Sequence, residues 1–394
     1  MWCKKRHKIV TAILKFVFSI YYYLLFDCRV KKEKLPEEGA VVIANHVTTL
    51  DPVLIGMLFD KPLYYMTSKH VFQNRLIGKL LKFLVNPIPK EKINKSDIAA
   101  IKACMQIARE NGSICIFPEG NRTFSGKLGY IDPAITKLIK RLGKPLVVCN
   151  ILGGYGTDPR WCSSVRCGKM QAFVKKIYSC EALQAMTNEE LYSTIISDIT
   201  VDEFASIARY RSGRRAECLE SVAFICPVCS GKHTIYTKKH NVYCSACGTV
   251  LTYNENQTIS CADGKFPFQY VHQWYDYQLK VLEETDFSDE QRIYSDNVEV
   301  YKPELNKKKE LVGCGELQLF GDRVRFALDS GKICLPLEEI DGITLIGNRI
   351  MDVYSGEKTY RVKAAHKTNL LKYMHTFYII RNRKKGITDG FIGI

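Results

Sequence analysis

Two apolar runs that each end in a polar loop constrain the fold of this chain most. Residues 41–43 are followed by His46 and Asp51, and residues 114–117 are followed by a loop with a carboxylate, a glycine and a guanidinium. A short apolar run bounded by turn residues is typical of a buried strand. A strand that ends in a polar loop presents side chains at a sheet edge, where α/β proteins build their sites. The pattern therefore predicts an α/β sheet with functional groups at its edge.

The spacing of His46 and Asp51 suggests an acid–base pair. Asp51 precedes Pro52, a combination that is typical of a helix start with the acid at its cap. Such a turn brings the carboxylate back toward the imidazole. A carboxylate on one ring nitrogen fixes the tautomer and leaves the other nitrogen as a base for a hydroxyl. Because this spacing also arises by chance, the pair alone does not establish catalysis.

The second loop carries groups that suit an anion. Glu119, Gly120, Arg122 and Thr123 follow the apolar run directly. The guanidinium matches phosphate with two parallel hydrogen bonds, and a glycine exposes backbone N–H groups. An ordinary ion pair between Glu119 and Arg122 is the alternative, which two such loops in one sheet disfavour.

Together the two loops resemble sequence blocks of the glycerolipid acyltransferase family, which includes lysophosphatidate acyltransferases. Residues 45–52 resemble its His-x4-Asp block, and residues 117–123 resemble its Phe-Pro-Glu-Gly block. Lys90 and Val148 stand where the family usually has arginine and proline, which bears on the substrate more than on the reaction. The resemblance covers roughly residues 1–205. Three further segments resemble the remaining blocks: 65–69, which ends in Lys69; 87–90, which ends in Lys90; and 146–153.

The resemblance implies a membrane-associated O-acyltransferase that moves a fatty acyl group from a thioester to the free hydroxyl of a lysophospholipid. Lysophosphatidate, which would give phosphatidate, is the acceptor it favours. His46 would be the general base and Asp51 would orient it. The chemistry needs no catalytic cofactor, and the donor is a coenzyme A or acyl-carrier-protein thioester. The residues that the resemblance assigns to substrate binding are Lys69, Lys90, Glu119, Gly120, Arg122 and Thr123.

Two other functions stay open at this point. The acceptor could be glycerol phosphate or another lysolipid, because acceptor choice depends on pocket shape. Alternatively, the chain could be a membrane-docked binding protein that recruits a partner through its C-terminal half. The intact motif residues argue against this second alternative.

Charge and hydropathy predict a membrane surface as partner. The formal net charge is +16, which suits an anionic membrane or nucleic acid, and the lipid interpretation favours the membrane. Residues 1–30 contain a basic start and the apolar stretch 9–26, interrupted by Lys15. We expect this stretch to lie at the interface as a monotopic or peripheral anchor on the cytoplasmic face. A spanning helix and a core helix are the alternatives.

Four cysteines have the spacing of a metal site. Cys226, Cys229, Cys244 and Cys247 form two Cys-x2-Cys pairs, the pattern of a zinc ribbon over residues 222–258. Four thiolates close the coordination shell, so the zinc would be structural. The chain has 16 cysteines, and those outside the two pairs are scattered along it, which suits a reducing compartment.

The order of elements predicts three folded parts. Residues 31–208 alternate strands and helices, which predicts a mixed α/β sheet with helices on both faces and a last helix that continues to Arg209. A linker, 209–221, precedes the ribbon. Residues 262–394 show successive strands and a closing helix over 367–383. This β-rich domain resembles a pleckstrin-homology (GRAM-like) fold, with a simple interaction module as the alternative.

Overall fold

A computed structural model describes residues 2–72, 75–90, 97–205, 208–303, 310–365, 367–387 and 390–393. The chain forms two compact units that are not consecutive in sequence. The first comprises Met1–Pro159 and Val165–Arg211, and the second comprises Arg160–Ser164 and Ser212–Gly393.

The first unit alternates helices and strands. Its elements are α1 Lys5–Phe26, β1 Val41–Ala44, α2 Asp51–Met57, β2 Leu63–Ser68, α3 Arg75–Leu84, β3 Ile88–Lys90, α4 Ile98–Arg109, β4 Ser113–Ile116, α5 Ala134–Leu142, β5 Leu146–Leu152, α6 Gly154–Thr157, β6 Gln171–Tyr178, α7 Cys180–Ala185 and α8 Asn188–Ile199.

A six-stranded sheet organises this unit, in the order β3-β2-β4-β1-β5-β6. Strands β1 to β5 run parallel, whereas β6 is antiparallel to β5. The mixed α/β sheet predicted from the sequence is thus confirmed. Because the five parallel strands share a direction, the loops that follow them all leave from one edge.

The central strands are buried on both faces. Every residue of β1 and β4 is buried, as a parallel sheet covered on both sides requires. On one face Ile43, Ile116 and Val148 pack with apolar residues of α4, α5 and α8 in a single core. The site-bearing loops therefore leave from rigid strands.

Helix α1 has one buried face and one exposed apolar face. His7, Tyr22 and Phe26 are buried, and Lys15 Nζ donates to the carbonyl of Phe59 at 2.7 Å. Helix α1, near the N-terminus, is long enough and apolar enough to cross a membrane. Among the described residues it is the one helix that meets this criterion of length and composition. Its exposed apolar residues include Ile9, Ile13, Phe16, Val17, Ile20 and Leu24.

The predicted continuation of the last helix to Arg209 is wrong. Helix α8 ends at Ile199, and Thr200 takes an extended conformation. The side chain of Asp202 then accepts the N–H groups of Phe204 and Ala205, which offers the backbone a turn instead of a helix.

The second unit is mainly β. Its elements are β7 Ile235–Lys238, β8 Asn241–Cys244, β9 Val250–Tyr253, β10 Ile259–Cys261, α9 Val271–Glu284, β11 Tyr294–Lys302, β12 Glu310–Leu319, β13 Arg323–Leu328, β14 Gly331–Pro336, β15 Gly342–Ile346, β16 Ile350–Ser355, β17 Lys358–Ala364 and α10 Leu371–Lys384.

Two antiparallel sheets make up this unit. The smaller has the order β10-β9-β8-β7, and the larger has seven strands in the order β14-β13-β12-β11-β17-β16-β15. The β-rich C-terminal part predicted from the sequence is confirmed. The sequence pattern did not predict α9, because a polar residue, Gln278, interrupts the apolar residues of its buried face. Gln278 Oε1 accepts the N–H groups of Phe224 and Ile225 there.

Residues 160–164 join the second unit although the first unit surrounds them in sequence. Trp161 is fully buried and packs edge-on against Tyr253. Arg160 donates to the carbonyl of Leu345 at 3.0 Å, and Asn348 donates to the carbonyl of Trp161. This short insert is thus an integral part of the β-rich unit.

Candidate functional site

The loop after β1 holds an imidazole–carboxylate pair. His46 Nδ1 lies 2.8 Å from Asp51 Oδ2, and the carboxylate is fully buried while His46 remains partly exposed. Because Asp51 takes Nδ1, the other ring nitrogen is the one available to a substrate hydroxyl. The ring also stacks on Phe117, with centroids 4.5 Å apart.

Asp51 folds the loop as well as orienting the ring. Its Oδ2 accepts the N–H groups of Val47 at 2.7 Å and Thr48 at 2.9 Å, and Oδ1 accepts the Thr48 hydroxyl. These bonds satisfy a buried carboxylate that would otherwise be costly to desolvate.

Glu119, from the loop after β4, supports the same segment. Its Oε1 accepts the N–H of His46 at 2.7 Å, and its Oε2 accepts the N–H of Gly129 at 2.8 Å. Burial raises the pKa of Glu119 to about 7, although both N–H groups oppose that shift. Glu119 is therefore a positioning group for the His46 backbone.

Arg122 is already engaged by a carboxylate that the sequence analysis missed. Asp158 Oδ2 lies 3.0 Å from Arg122 Nη1 and accepts the N–H and the hydroxyl of Thr49, each at 3.0 Å. Thr49 lies between His46 and Asp51, so Asp158 joins the two motif loops. Asp158 precedes a proline, as Asp51 and Asp132 also do, so this dipeptide did not single it out in the sequence.

Gly120 and Thr123 shape the second loop. Gly120 has a φ of +69°, a left-handed conformation that favours glycine, with open space at its Cβ position. Thr123 is buried; its N–H donates to the carbonyl of His46 at 3.1 Å and its hydroxyl accepts the N–H of Gly126 at 3.0 Å. Thr123 thus joins the two loops and is not placed as an exposed ligand.

Lys69 and Lys90 lie at the same sheet edge but farther from His46. Lys69 begins the turn after β2 and is half-buried, whereas Lys90 ends β3 and is exposed. Their strands lie two and three positions from β1, which corresponds to about 10 and 14 Å across the sheet. The structure therefore groups His46, Asp51, Glu119 and Arg122 closely and sets the two lysines to one side.

A second buried carboxyl was also missed from the sequence. Glu203 Oε2 accepts the N–H of Gly153 at 3.0 Å in the loop after β5. Burial raises the pKa of Glu203 to about 8, against the opposing effect of the N–H groups of Tyr155, Gly153 and Gly154. Glu119 and Glu203 both line a small pocket beside the loop after β1, together with Asn45, Val47 and Thr123.

In the second unit, four cysteine sulfurs converge. The Sγ atoms of Cys226 and Cys247 are 3.9 Å apart, those of Cys229 and Cys244 are 3.7 Å apart, and all four lie within 4.8 Å of one another. A tetrahedron with Zn–S bonds of about 2.3 Å has sulfurs about 3.8 Å apart. The cluster therefore fits a tetrahedral metal.

Comparison with known proteins agrees with this geometry. Residues 27–152 match the family model described as acyltransferase. Over this part of the chain, the match confirms the resemblance to acyltransferases seen in the sequence.

The relatives are named for the same activity. A probable 1-acyl-sn-glycerol-3-phosphate acyltransferase of Mycoplasma pneumoniae is 28% identical over 132 residues, which are 32% of this chain and 49% of that protein. The 1-acyl-sn-glycerol-3-phosphate acyltransferase of Bacillus subtilis is 34% identical over 119 residues, which are 29% of this chain and 57% of that protein. The chain thus spans about half the length of the curated relatives it matches.

Among solved structures, the chain is similar to the 1-acyl-sn-glycerophosphate acyltransferase PlsC from Thermotoga maritima. The TM-score is 0.42 at 18% identity, and the match covers 49% of this chain and 78% of that one.

Proposed function

We propose that the protein transfers a fatty acyl group from a thioester to the free hydroxyl of lysophosphatidate, which gives phosphatidate. The observation that carries this proposal is the His46–Asp51 contact of 2.8 Å in a loop that Asp158 connects, through Thr49, to the guanidinium of Arg122. It combines a base for a hydroxyl with a cation for a phosphate in an acyltransferase-family domain. The names of the relatives, which are 1-acyl-sn-glycerol-3-phosphate acyltransferases, support the same acceptor.

In the proposed reaction the acceptor hydroxyl attacks the thioester carbonyl directly. His46 removes the hydroxyl proton, a carbon–oxygen bond forms, the carbon–sulfur bond breaks, and the thiol leaves with a proton. Asp51 keeps the ring in one tautomer and stabilises the imidazolium. Glu119, Gly120 and Thr123 shape the loop around this pair. Arg122, with Lys69 and Lys90, supplies positive charge for the acceptor phosphate.

An acyl-transfer assay on the purified full chain tests this proposal. The acceptors are lysophosphatidate, a neutral monoacylglycerol and glycerol 3-phosphate, each offered with a coenzyme A and an acyl-carrier-protein thioester. We expect phosphatidate from lysophosphatidate and a loss of product with His46→Ala. Transfer to glycerol 3-phosphate alone would favour the other acceptor class, and no transfer by a folded protein would favour the binding-protein alternative.

We also propose that α1 and α3 dock the first unit on an anionic membrane from the cytoplasmic side. The exposed face of α1 and the α3 residues Leu76, Leu80 and Phe83 form an apolar patch. Arg6 links the two helices, because its guanidinium lies 4.2 Å from the Phe83 ring centroid. The contact of Lys15 with the Phe59 carbonyl supports the expected interfacial position of α1, since a helix that spans the membrane would lose this contact. Exposed Lys4, Lys5, Lys8, Lys79 and Lys82 accompany the patch.

For the second unit we propose a structural zinc ribbon followed by a pleckstrin-homology-like domain. The four cysteines would hold the zinc, which would cross-link two turns of the ribbon. The seven-stranded sheet with one closing helix supports the second assignment. The domain boundaries predicted from the sequence, including the linker 209–221, remain part of this proposal.

A further inference from the structure

The loop after β1, which carries His46, directs four successive backbone N–H groups at carboxylates. His46 donates to Glu119, Val47 and Thr48 donate to Asp51, and Thr49 donates to Asp158. Successive N–H groups that converge in a turn form a concave site for anions. This loop is such a site, and side chains of the protein itself fill it.

The three carboxylates differ in how deeply they lie. Asp51 and Glu119 are buried at 0% and 6% exposure, whereas the side chain of Asp158 is 20% exposed. Moving a buried carboxylate would break bonds that the loop needs to fold. Asp158 lies at the solvent side, so a ligand can replace it without unfolding the loop.

Three donors converge on one oxygen of Asp158. They are the N–H of Thr49, the hydroxyl of Thr49 and the guanidinium of Arg122, each 3.0 Å from Oδ2. A phosphate monoester offers oxygens of the same kind with a charge of about −1.5 to −2, against −1 for a carboxylate. The donor set therefore suits a phosphate better than the carboxylate that it holds.

We propose that Asp158 occupies, in the free protein, the site where Arg122 would bind the phosphate of the acceptor, and that Thr49 completes this site. An arriving phosphate takes over the three hydrogen bonds, and like charge drives the Asp158 carboxylate away. A neutral acceptor lacks the charge to displace Asp158. Asp158 is then a specificity-determining residue that favours anionic acceptors. This inference rests on the proposed function for the identity of the acceptor, but the anion site itself does not.

Kinetics of Asp158→Asn test the proposal. Without the competing charge, the KM for lysophosphatidate should fall by about tenfold or more, because the phosphate no longer has to displace a carboxylate from its three donors. The KM for the thioester should stay unchanged. The KM for monoacylglycerol, which cannot displace Asp158, should fall by a larger factor, so the preference for lysophosphatidate over monoacylglycerol should narrow. Thr49→Val, which removes only the hydroxyl, should raise the KM for lysophosphatidate. Glu38→Gln, which removes an exposed charge in a turn of the same unit, is the matched control.

Direct binding of inorganic phosphate separates this inference from the proposed function. Titration calorimetry should show tighter phosphate binding to Asp158→Asn than to the wild-type protein, and no binding to Arg122→Ala, whatever acceptor the enzyme uses. Equal or weaker phosphate binding by Asp158→Asn would overturn the proposal. A rise in the KM for lysophosphatidate in Asp158→Asn, matching that of Arg122→Ala, would assign Asp158 a supporting role instead. If Asp158→Asn does not fold, an unchanged KM in Thr49→Val overturns the proposal independently.

Discussion

The carboxylate of Glu119 accepts the backbone N–H of His46 at 2.7 Å, so the base of one loop is positioned by an acid of another. Both oxygens of Glu119 are used, because Gly129 donates to the second. Glu119→Gln keeps one acceptor and turns an NH₂ group toward the other N–H. An unsatisfied buried donor costs about 1–3 kcal/mol, so we expect kcat to fall about tenfold or more. Steady-state kinetics, with Glu38→Gln as control, measure this; a kcat within twofold of wild type would remove the positioning role.

His46→Ala should lower kcat by about 10²–10⁴, the usual contribution of a general base. Its melting temperature should stay close to that of the wild type, because Asp51 keeps its bonds to the backbone N–H groups of the loop. Asp51→Asn should lower kcat and also the melting temperature, since Asp51 holds two backbone N–H groups of the loop. Substantial activity in His46→Ala would assign the base to another group.

Glu203 should make the stability depend on pH. Burial raises its pKa to about 8 in the folded state from an ordinary value of 4.5, so the folded protein holds a proton that the unfolded chain releases. The contribution of Glu203 to the unfolding free energy is therefore highest below pH 4.5 and decreases as the pH rises to about 8.

Urea unfolding of Glu203→Gln and wild type between pH 5 and 8.5 tests this linkage. As the pH rises from 5 to 8.5, the unfolding free energy of the variant should increase relative to that of the wild type by a few kcal/mol, since one pKa unit corresponds to about 1.4 kcal/mol. A constant difference at all pH values would show that Glu203 is ionised throughout. Comparing the two proteins cancels the contribution of Glu119, which has the same sign.

The cysteine cluster should bind one zinc ion per chain. Cys226→Ser should lower the zinc content and the melting temperature, because a closed four-thiolate site cross-links the two turns of the ribbon. Metal analysis and thermal unfolding measure both. Cys314→Ser, at an exposed cysteine outside the cluster, is the control and should retain the zinc. Full zinc content in Cys226→Ser would contradict the assignment.

The apolar patch should determine membrane binding. Phe16→Gln combined with Leu80→Gln should reduce flotation with phosphatidylglycerol-containing vesicles, most clearly at high salt, where attraction between charges is screened. The matched control is Ile177→Gln, which alters an exposed apolar residue on β6. Undiminished flotation of the double variant at high salt would move the anchor away from α1 and α3.

The sequence predicted what depends on neighbouring residues. The strands before both motif loops and the contact of His46 with Asp51 follow from local patterns within a few residues. Asp158 and Glu203 reach the same region from distant parts of the chain, through the arrangement of the loops around β5. Nothing in their local sequence indicated this. The wrong extension of α8 had a local cause, because Asp202 satisfies backbone groups that a helix would have used.

Residues 160–164, which include Trp161, make the second unit discontinuous in sequence. The polypeptide enters the second unit at Arg160, returns at Val165 and enters it again at Ser212. A chain that stops after Arg211 would keep Trp161 but lose Tyr253, its packing neighbour, and would expose a fully buried indole to water. A single cut after Arg211 therefore does not separate the first unit cleanly, because residues 160–164 would remain on it without the residues they pack against.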